Sequence, residues 1–148
     1  MTNHPPQKPK HRYPLTVLEA HLDTFGHVNH AKYLELLEEA RWDLITHNGF
    51  GLKEIQKIGI GPVILEVKIE FKRELRLRQK IVIETELLSY TRKIATVHQK
   101  ILNEDHKVCA QADIVLGLYD LHKRKLVTPI PAWLKAIGID PAEYESKS

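Results

Sequence analysis

Residues 63–72 read VILEVKIEFK. Val63, Leu65, Val67, Ile69 and Phe71 alternate with polar partners, and Glu66, Lys68, Glu70 and Lys72 take the other face. A side-chain period of two is the signature of a strand buried on one face only. KIVIETELLS (80–89), KIATVHQKIL (93–102) and KVCAQADIVLGLYD (107–120) follow as three more strands. SYTR (89–92) and NEDH (103–106) read as tight connections between them.

Upstream of this meander the period changes. From His30 to about His47, Tyr33, Leu34, Leu37, Ala40, Leu44 and Ile45 recur at three- and four-residue spacing, which predicts one amphipathic helix. Asn29 is a suitable N-cap and Gly49 a suitable C′ residue. LKEIQKIGIG (52–61) reads as a short helical or irregular piece. RYPLTVLEA (12–20) reads as a short strand with Leu15 and Val17 on one face. LHKRKL (121–126) looks like a turn, and PAWLKAIG (131–138) like a short terminal helix. The order predicts an α+β layer architecture, a curved antiparallel sheet wrapped around one long helix. One helix covers one sheet face, so the other face is expected to meet a second subunit.

Composition agrees with one domain. The chain has 148 residues, 43% of them hydrophobic, and a formal net charge of +3. We expect a flexible tail over 1–11, a single domain over 12–138 and a C-terminal tail over 139–148. The lone cysteine, Cys109, rules out an intrachain disulfide and suits a reducing compartment. No apolar run reaches the ~18–20 residues of a membrane span. The polar start, MTNHPPQKPKHRYP, lacks an apolar signal core, so a cytoplasmic location is expected. Basic residues are interleaved with acids, which argues against nucleic-acid binding.

The chemistry concentrates in HLDTFGHVNHAKYLE (21–35). His21, Asp23, His27 and His30 are all residue types that zinc accepts, but the spacing H-x-D-x3-H-x2-H matches no familiar zinc pattern. No metal is expected. A carboxylate placed just before a helix start offers different chemistry. The first helical N–H groups lack intrahelical partners and carry partial positive charge. They can hold a developing oxyanion while the carboxylate attacks or activates water.

The run Asp23-Thr24-Phe25-Gly26-His27-Val28-Asn29-His30-Ala31-Lys32-Tyr33-Leu34, with Glu39-Ala40-Arg41 on the same helix, resembles the hotdog-fold acyl-CoA thioesterases. The likeness is to the 4-hydroxybenzoyl-CoA thioesterase-like branch, which carries D-x-x-G-H-V-N, then a tyrosine, then E-x-A-R. It extends in coarse form over residues 12–137, through Pro62-Val63, Ile69, Phe71 and Pro129–Pro131.

The resemblance implies a hotdog fold and hydrolysis of an acyl-CoA thioester to free acid and coenzyme A, without cofactor. It implies Asp23 as the catalytic carboxylate, either nucleophile or base, supported by His27 and His30. Gly26, Val28 and Asn29 match the turn that presents backbone donors. Glu19 stands where some relatives have a tyrosine, and RQK (78–80) where many have Gly-Asp. Tyr33, Arg73, Arg92 and Lys93 are expected to contact substrate, the basic ones through coenzyme A phosphates. The resemblance also implies a homodimer or homotetramer. The rival reading is a non-catalytic module that binds acyl-CoA or acyl-carrier protein.

Overall fold

The long helix begins and ends where its caps place it. In the computed structural model, which describes residues 10–145, α1 spans His30–His47. Asn29 Oδ1 accepts from the Lys32 N–H at 3.1 Å, and Gly49 takes φ +88° just past the end. A non-glycine residue resists that left-handed conformation. Around α1 the chain forms β1 (His11–Thr16), α2 (Leu52–Ile58), β2 (Ile60–Phe71), β3 (Lys80–Thr91), β4 (Ile94–Leu102) and β5 (Val108–Asp120). β6 (Lys125–Val127), α3 (Pro131–Ala136) and α4 (Pro141–Glu145) complete it.

The strands pair antiparallel in the order β1-β3-β4-β5-β2, with β6 added beside the end of β5. β4 is therefore central, and β1 and β2 are the edges. Ile81 and Ile83 of β3, Val97 and Ile101 of β4, and Ala112 and Ile114 of β5 are buried, as are Leu36, Leu37 and Ala40 of α1. The sheet wraps the helix, as the period change implied.

One buried polar network pins the two layers. Gln99 Nε2 donates to the Leu37 carbonyl at 3.1 Å and to Thr85 Oγ1 at 2.9 Å. Its Oε1 accepts from Arg41 at 2.9 Å. Every polar atom of the fully buried amide is thereby satisfied, which a core position requires.

Four details depart from the sequence reading. A β-bulge between Ile64 and Glu66 breaks the register of β2 on β5. Val63 therefore opposes Gly117, while Val67, Ile69 and Phe71 oppose the inward residues Ile114, Ala112 and Ala110. The alternation inferred from residue 63 holds only beyond the bulge, because the extra residue flips the facing. The apolar stripe of α1 is also rotated. Leu36 is buried at 2% exposure and Leu34 is 41% exposed. LHKRKL contains more than a turn, since Lys125–Val127 pairs with β5.

The fourth departure concerns the ends. Residues 1–9 of the expected tail lie outside the described residues, and His11 already belongs to β1. The other end continues in ordered structure past residue 138. α4 follows it, and Tyr144 packs edge-on against Tyr90 and donates to the Arg92 carbonyl at 2.6 Å. An aromatic anchor with a satisfied hydroxyl is enough to order a short helix on the domain.

Leu36→Ala should cost about 2–5 kcal/mol in urea unfolding, and Leu34→Ala less than about 1 kcal/mol. Equal losses would mean that the stripe lies where the sequence pattern put it. A second expectation concerns alkaline pH. The hydrogen bond to Glu39 and then burial push Tyr13 up to about 12, and burial pushes Tyr90 up to about 12. Both lie above the ordinary 10.0. Their stabilisation is therefore complete below about pH 10 and is lost as pH rises through about 12. Tyr13→Phe combined with Tyr90→Phe should flatten that alkaline fall in unfolding free energy.

Candidate active site

The loop between β1 and α1 is built around Asp23. The Phe25 and His27 N–H groups donate to Asp23 Oδ1 at 2.9 and 3.0 Å. The Asp23 N–H donates to the His27 carbonyl at 2.8 Å, and the Gly26 N–H to the Asp23 carbonyl at 3.0 Å. Gly26 closes this turn at φ +81°. A Cβ there would meet nothing within 4 Å, so glycine is needed for its conformation rather than for space. Val28 is buried and ties the loop to the core.

The result is a carboxylate oriented by two amides through one oxygen. Among the described residues its Oδ2 has no hydrogen-bond partner. Seven residues along the chain α1 starts. Asn29 satisfies the Lys32 N–H with both its side chain and its carbonyl, each at 3.1 Å. Among the described residues the N–H groups of His30 and Ala31 have no acceptor. These orphan donors lie at the positive end of an 18-residue helix. Gly26 and His27 lie within the turn expected to present backbone donors. Their N–H groups are instead consumed inside the loop, so the open donors sit one turn later.

The other expected residues divide into two groups. His27 stays near the loop mouth, exposed, with Nε2 3.6 Å from Glu74. His30 occupies the first helical position and is exposed. Arg73 follows β2 at the same end and donates to the Val108 carbonyl at 3.3 Å. His21 is turned into its own 3-10 turn, where Nδ1 accepts the Leu18 N–H at 2.9 Å.

Tyr33, Arg92 and Lys93 go elsewhere. Tyr33 is buried, edge-on to Phe71 at 5.1 Å, and its hydroxyl accepts the Leu75 N–H at 3.3 Å. It packs within the hydrophobic core. Arg92 and Lys93 form the β3–β4 turn, with Arg92 at φ +55°. Their neighbour Tyr90, against which Tyr144 packs, accepts from Trp133 Nε1, and Trp133 packs near the C-terminal end of α1. One protomer therefore holds this pair at the far end of a helix about 27 Å long, away from Asp23.

A small cavity was not foreseen. It has a volume of about 200 Å³ and lies between the second half of α1 and the first half of β2. Glu38, Arg41 and Trp42 from the helix, Pro62 and Ile64 from β2, and Trp133 from α3 line it. A tryptophan can serve as a core anchor or as a pocket wall. Trp133 does both, packing on Phe50 at 5.6 Å and donating Nε1 to Tyr90 at 3.0 Å. Burial pushes the Arg41 guanidinium down from its usual range, and the Glu38 carboxylate opposes that. Glu39 is committed elsewhere, accepting from the Tyr13 hydroxyl at 2.6 Å. Burial raises the Cys109 thiol, which disfavours its reactive thiolate form.

With this geometry in view, a family model described as the thioesterase-like superfamily matches residues 17–138. The chain belongs to this superfamily. It is 34% identical over 106 residues to the long-chain acyl-CoA thioesterase FadM of Escherichia coli strain K12, covering 71% of this chain and 80% of FadM. It is 30% identical over 138 residues to the L-carnitine dehydrogenase/betainyl-CoA thioesterase of Agrobacterium fabrum, 90% of this chain. The match spans only 28% of that bifunctional protein. Among solved structures, the probable thioesterase YbaW from Escherichia coli is 29% identical with a TM-score of 0.73, covering 85% of this chain and 97% of YbaW. A Staphylococcus aureus protein solved in complex with CoA shares the fold at a TM-score of 0.81, 18% identity, and 94% and 85% coverage. The α+β hotdog architecture expected from the sequence is thus the one observed. Among the described residues no helix is long and apolar enough to cross a membrane.

The loop geometry can be checked without substrate. Asn29→Ala should cost about 1 kcal/mol through loss of the cap. Gly26→Ala should cost about 1–2 kcal/mol from the left-handed backbone alone. Unchanged thermal midpoints for both would contradict the loop conformation described.

Proposed function

We propose that the chain hydrolyses acyl-CoA thioesters at the loop that leads into α1. The observation that carries this reading is the pairing of an oriented carboxylate, Asp23, with the unsatisfied N–H groups of His30 and Ala31. Thioester hydrolysis needs those two parts: an attacking group, and donors for the oxygen that gains charge.

In this scheme the thioester carbonyl oxygen points at the helix start. Asp23 Oδ2 either attacks the carbonyl carbon or takes a proton from an attacking water. The carbonyl oxygen gains negative charge, held by the two N–H groups and the helix dipole. The C–S bond then breaks, the sulfur leaves with a proton as coenzyme A, and the acyl group departs as a carboxylic acid. If Asp23 attacks, water hydrolyses the resulting anhydride in a second step. His27 and His30 stand at the mouth as supporting groups for proton movement or carbonyl polarisation. Arg73 is the basic residue that serves the coenzyme A phosphates at this end. No bound cofactor takes part in the scheme.

The substrates named in the relatives, a betainyl thioester and long-chain acyl thioesters, bracket the range to search. The protein acts as a homodimer or homotetramer in this reading. Support comes from β2, an edge strand on which Val67 is 38% and Phe71 50% exposed on the face turned toward the helix layer. A cytoplasmic setting is supported by the free, buried Cys109.

Free-thiol release should be measured over a panel running from betainyl-CoA through aromatic to long-chain acyl-CoAs. At least one should turn over, and Asp23→Asn and Asp23→Ala should lower kcat by about 10²–10⁴ while the fold is retained. Wild-type activity in both variants would sink the role of Asp23. Saturable binding with no thiol release by the wild type would replace the enzyme with an acyl-CoA binding module.

A further inference from the structure

The basic residues gather at one end of the molecule. LHKRKL (121–126) turns β5 into β6, and its His122, Lys123, Arg124 and Lys125 are all exposed. Two neighbouring segments bring more cations there. The His122 ring lies over Gly59 at the end of α2, where a Cβ would meet it at 2.5 Å. The Leu121 N–H donates to the Gly59 carbonyl at 2.8 Å. These contacts set Lys57 beside the turn. On the other side, a Cβ on Gly117 would meet the Lys93 carbonyl at 2.8 Å and the Leu126 side chain at 2.9 Å. The β3–β4 turn and β6 are therefore neighbours.

The acids at this end are occupied by backbone. Asp120 is 7% exposed, and its Oδ1 accepts the N–H groups of His122 and Lys123 at 2.8 and 3.0 Å. Glu54 accepts the Gly51 N–H at 3.0 Å, and Asp140 the Ala142 N–H at 3.0 Å. Among the described residues Lys57, Lys93, Lys123, Arg124 and Lys125 make no ion pair. The turn also holds Arg124 at φ +54°, where glycine or asparagine would rest at less cost. A positive charge thus occupies a position whose backbone disfavours a side chain.

Apolar side chains stand among these cations. Leu121 is 57%, Ile58 41% and Ile94 37% exposed. Each adjoins a basic residue in sequence: Leu121 precedes His122, Ile58 follows Lys57 and Ile94 follows Lys93. From Gly117 to Leu121 the chain advances about 13 Å, so the group is local to this end of the sheet.

We propose that this end of the molecule seats on an anionic phospholipid surface. The aliphatic residues enter the headgroup layer, while the lysines and Arg124 keep their charges among lipid phosphates. The composition favours this occupant over others. Protein interfaces are depleted in lysine and enriched in aromatic residues, whereas this patch is rich in lysine and its exposed apolar residues are aliphatic. Single-stranded nucleic acid stacks its bases on aromatic platforms. A turn beyond a strand end is also convex, which suits a flat and deformable partner. The contact is peripheral, since among the described residues no helix is long and apolar enough to cross a membrane. It goes beyond the hydrolase reading and does not depend on it.

Co-sedimentation of the full chain with vesicles tests it. Phosphatidylcholine vesicles carrying about one-third phosphatidylglycerol should bind the chain at least about tenfold more tightly than pure phosphatidylcholine. Raising salt from about 0.1 M to about 1 M shortens the screening length from about 10 Å to about 3 Å and should weaken that binding about tenfold. Arg124→Gly is the informative variant, because glycine fits the backbone. It should leave the thermal midpoint no lower and reduce the vesicle partition coefficient about fivefold. Leu121→Ser with Ile58→Ser should reduce the binding that persists at high salt, where the charges are screened. Equal binding to both vesicle types, or to neither, overturns the proposal. So does an Arg124→Gly variant that binds like the wild type. Capture of poly-glutamate without capture of vesicles also overturns it, and assigns the patch to an acidic protein. None of these readouts uses a thioester, so failure here leaves the hydrolase reading intact, and loss of that reading leaves the surface.

Discussion

The packing of α1 into the curve of the sheet is the interaction on which everything else depends. Leu36, Leu37 and Ala40 go into the core formed by β3, β4 and β5, and Gln99 ties the helix backbone to the central strand through the Leu37 carbonyl. A buried amide with all its partners satisfied fixes orientation as well as contact, because a sliding or rotating helix would leave it unpaired. Once the helix axis is set, so is the position of its N-terminus. The Asp23 loop, anchored by Val28, then has one place to fold. Burial in the middle of the helix thus determines where its charged end points.

The same packing explains why the chemistry sits at one end and the apolar cavity at another. Unpaired backbone donors are gathered at a helix N-terminus, which suits that end to holding an oxyanion. The apolar space lies along the helix flank, beside β2, an edge strand of the sheet. A thioester has both a charge-accumulating carbonyl and an apolar or bulky acyl part, so it spans two such places. Arg73 stands near the first of them, whereas Arg92 and Lys93 stand at the other end of the helix.

Much of this was legible in the residues. α1 could be bounded because Asn29 and Gly49 carry local cap chemistry that needs no tertiary information. β2 to β5 could be found because alternation reports a face that is buried somewhere. What failed was whatever depends on partners far along the chain. The bulge at Leu65 is decided by pairing with β5, so the pattern starting at Val63 carried the wrong facing. The choice between Leu34 and Leu36 turns on the angle at which the helix meets the sheet, and both fit a helical stripe. The Asp23 loop was recognised as a motif, yet the internal use of the Gly26 and His27 N–H groups depends on folded geometry. Tyr33 is placed by the motif, while its burial against Phe71 follows only from the fold. α4 was read as tail because five residues carry too little periodicity, and Tyr144 finds its partner only in three dimensions.

The central claim is that the thioester carbonyl is polarised by the start of α1 under the carboxylate of Asp23. A crystal structure with a non-hydrolysable acyl-CoA ketone, in which a methylene replaces the thioester sulfur, tests it most directly. The account predicts the ketone oxygen about 2.7–3.1 Å from the N–H groups of His30 and Ala31, with Asp23 Oδ2 facing the carbonyl carbon. A ketone bound away from the helix start, with Asp23 turned from it, would contradict the account.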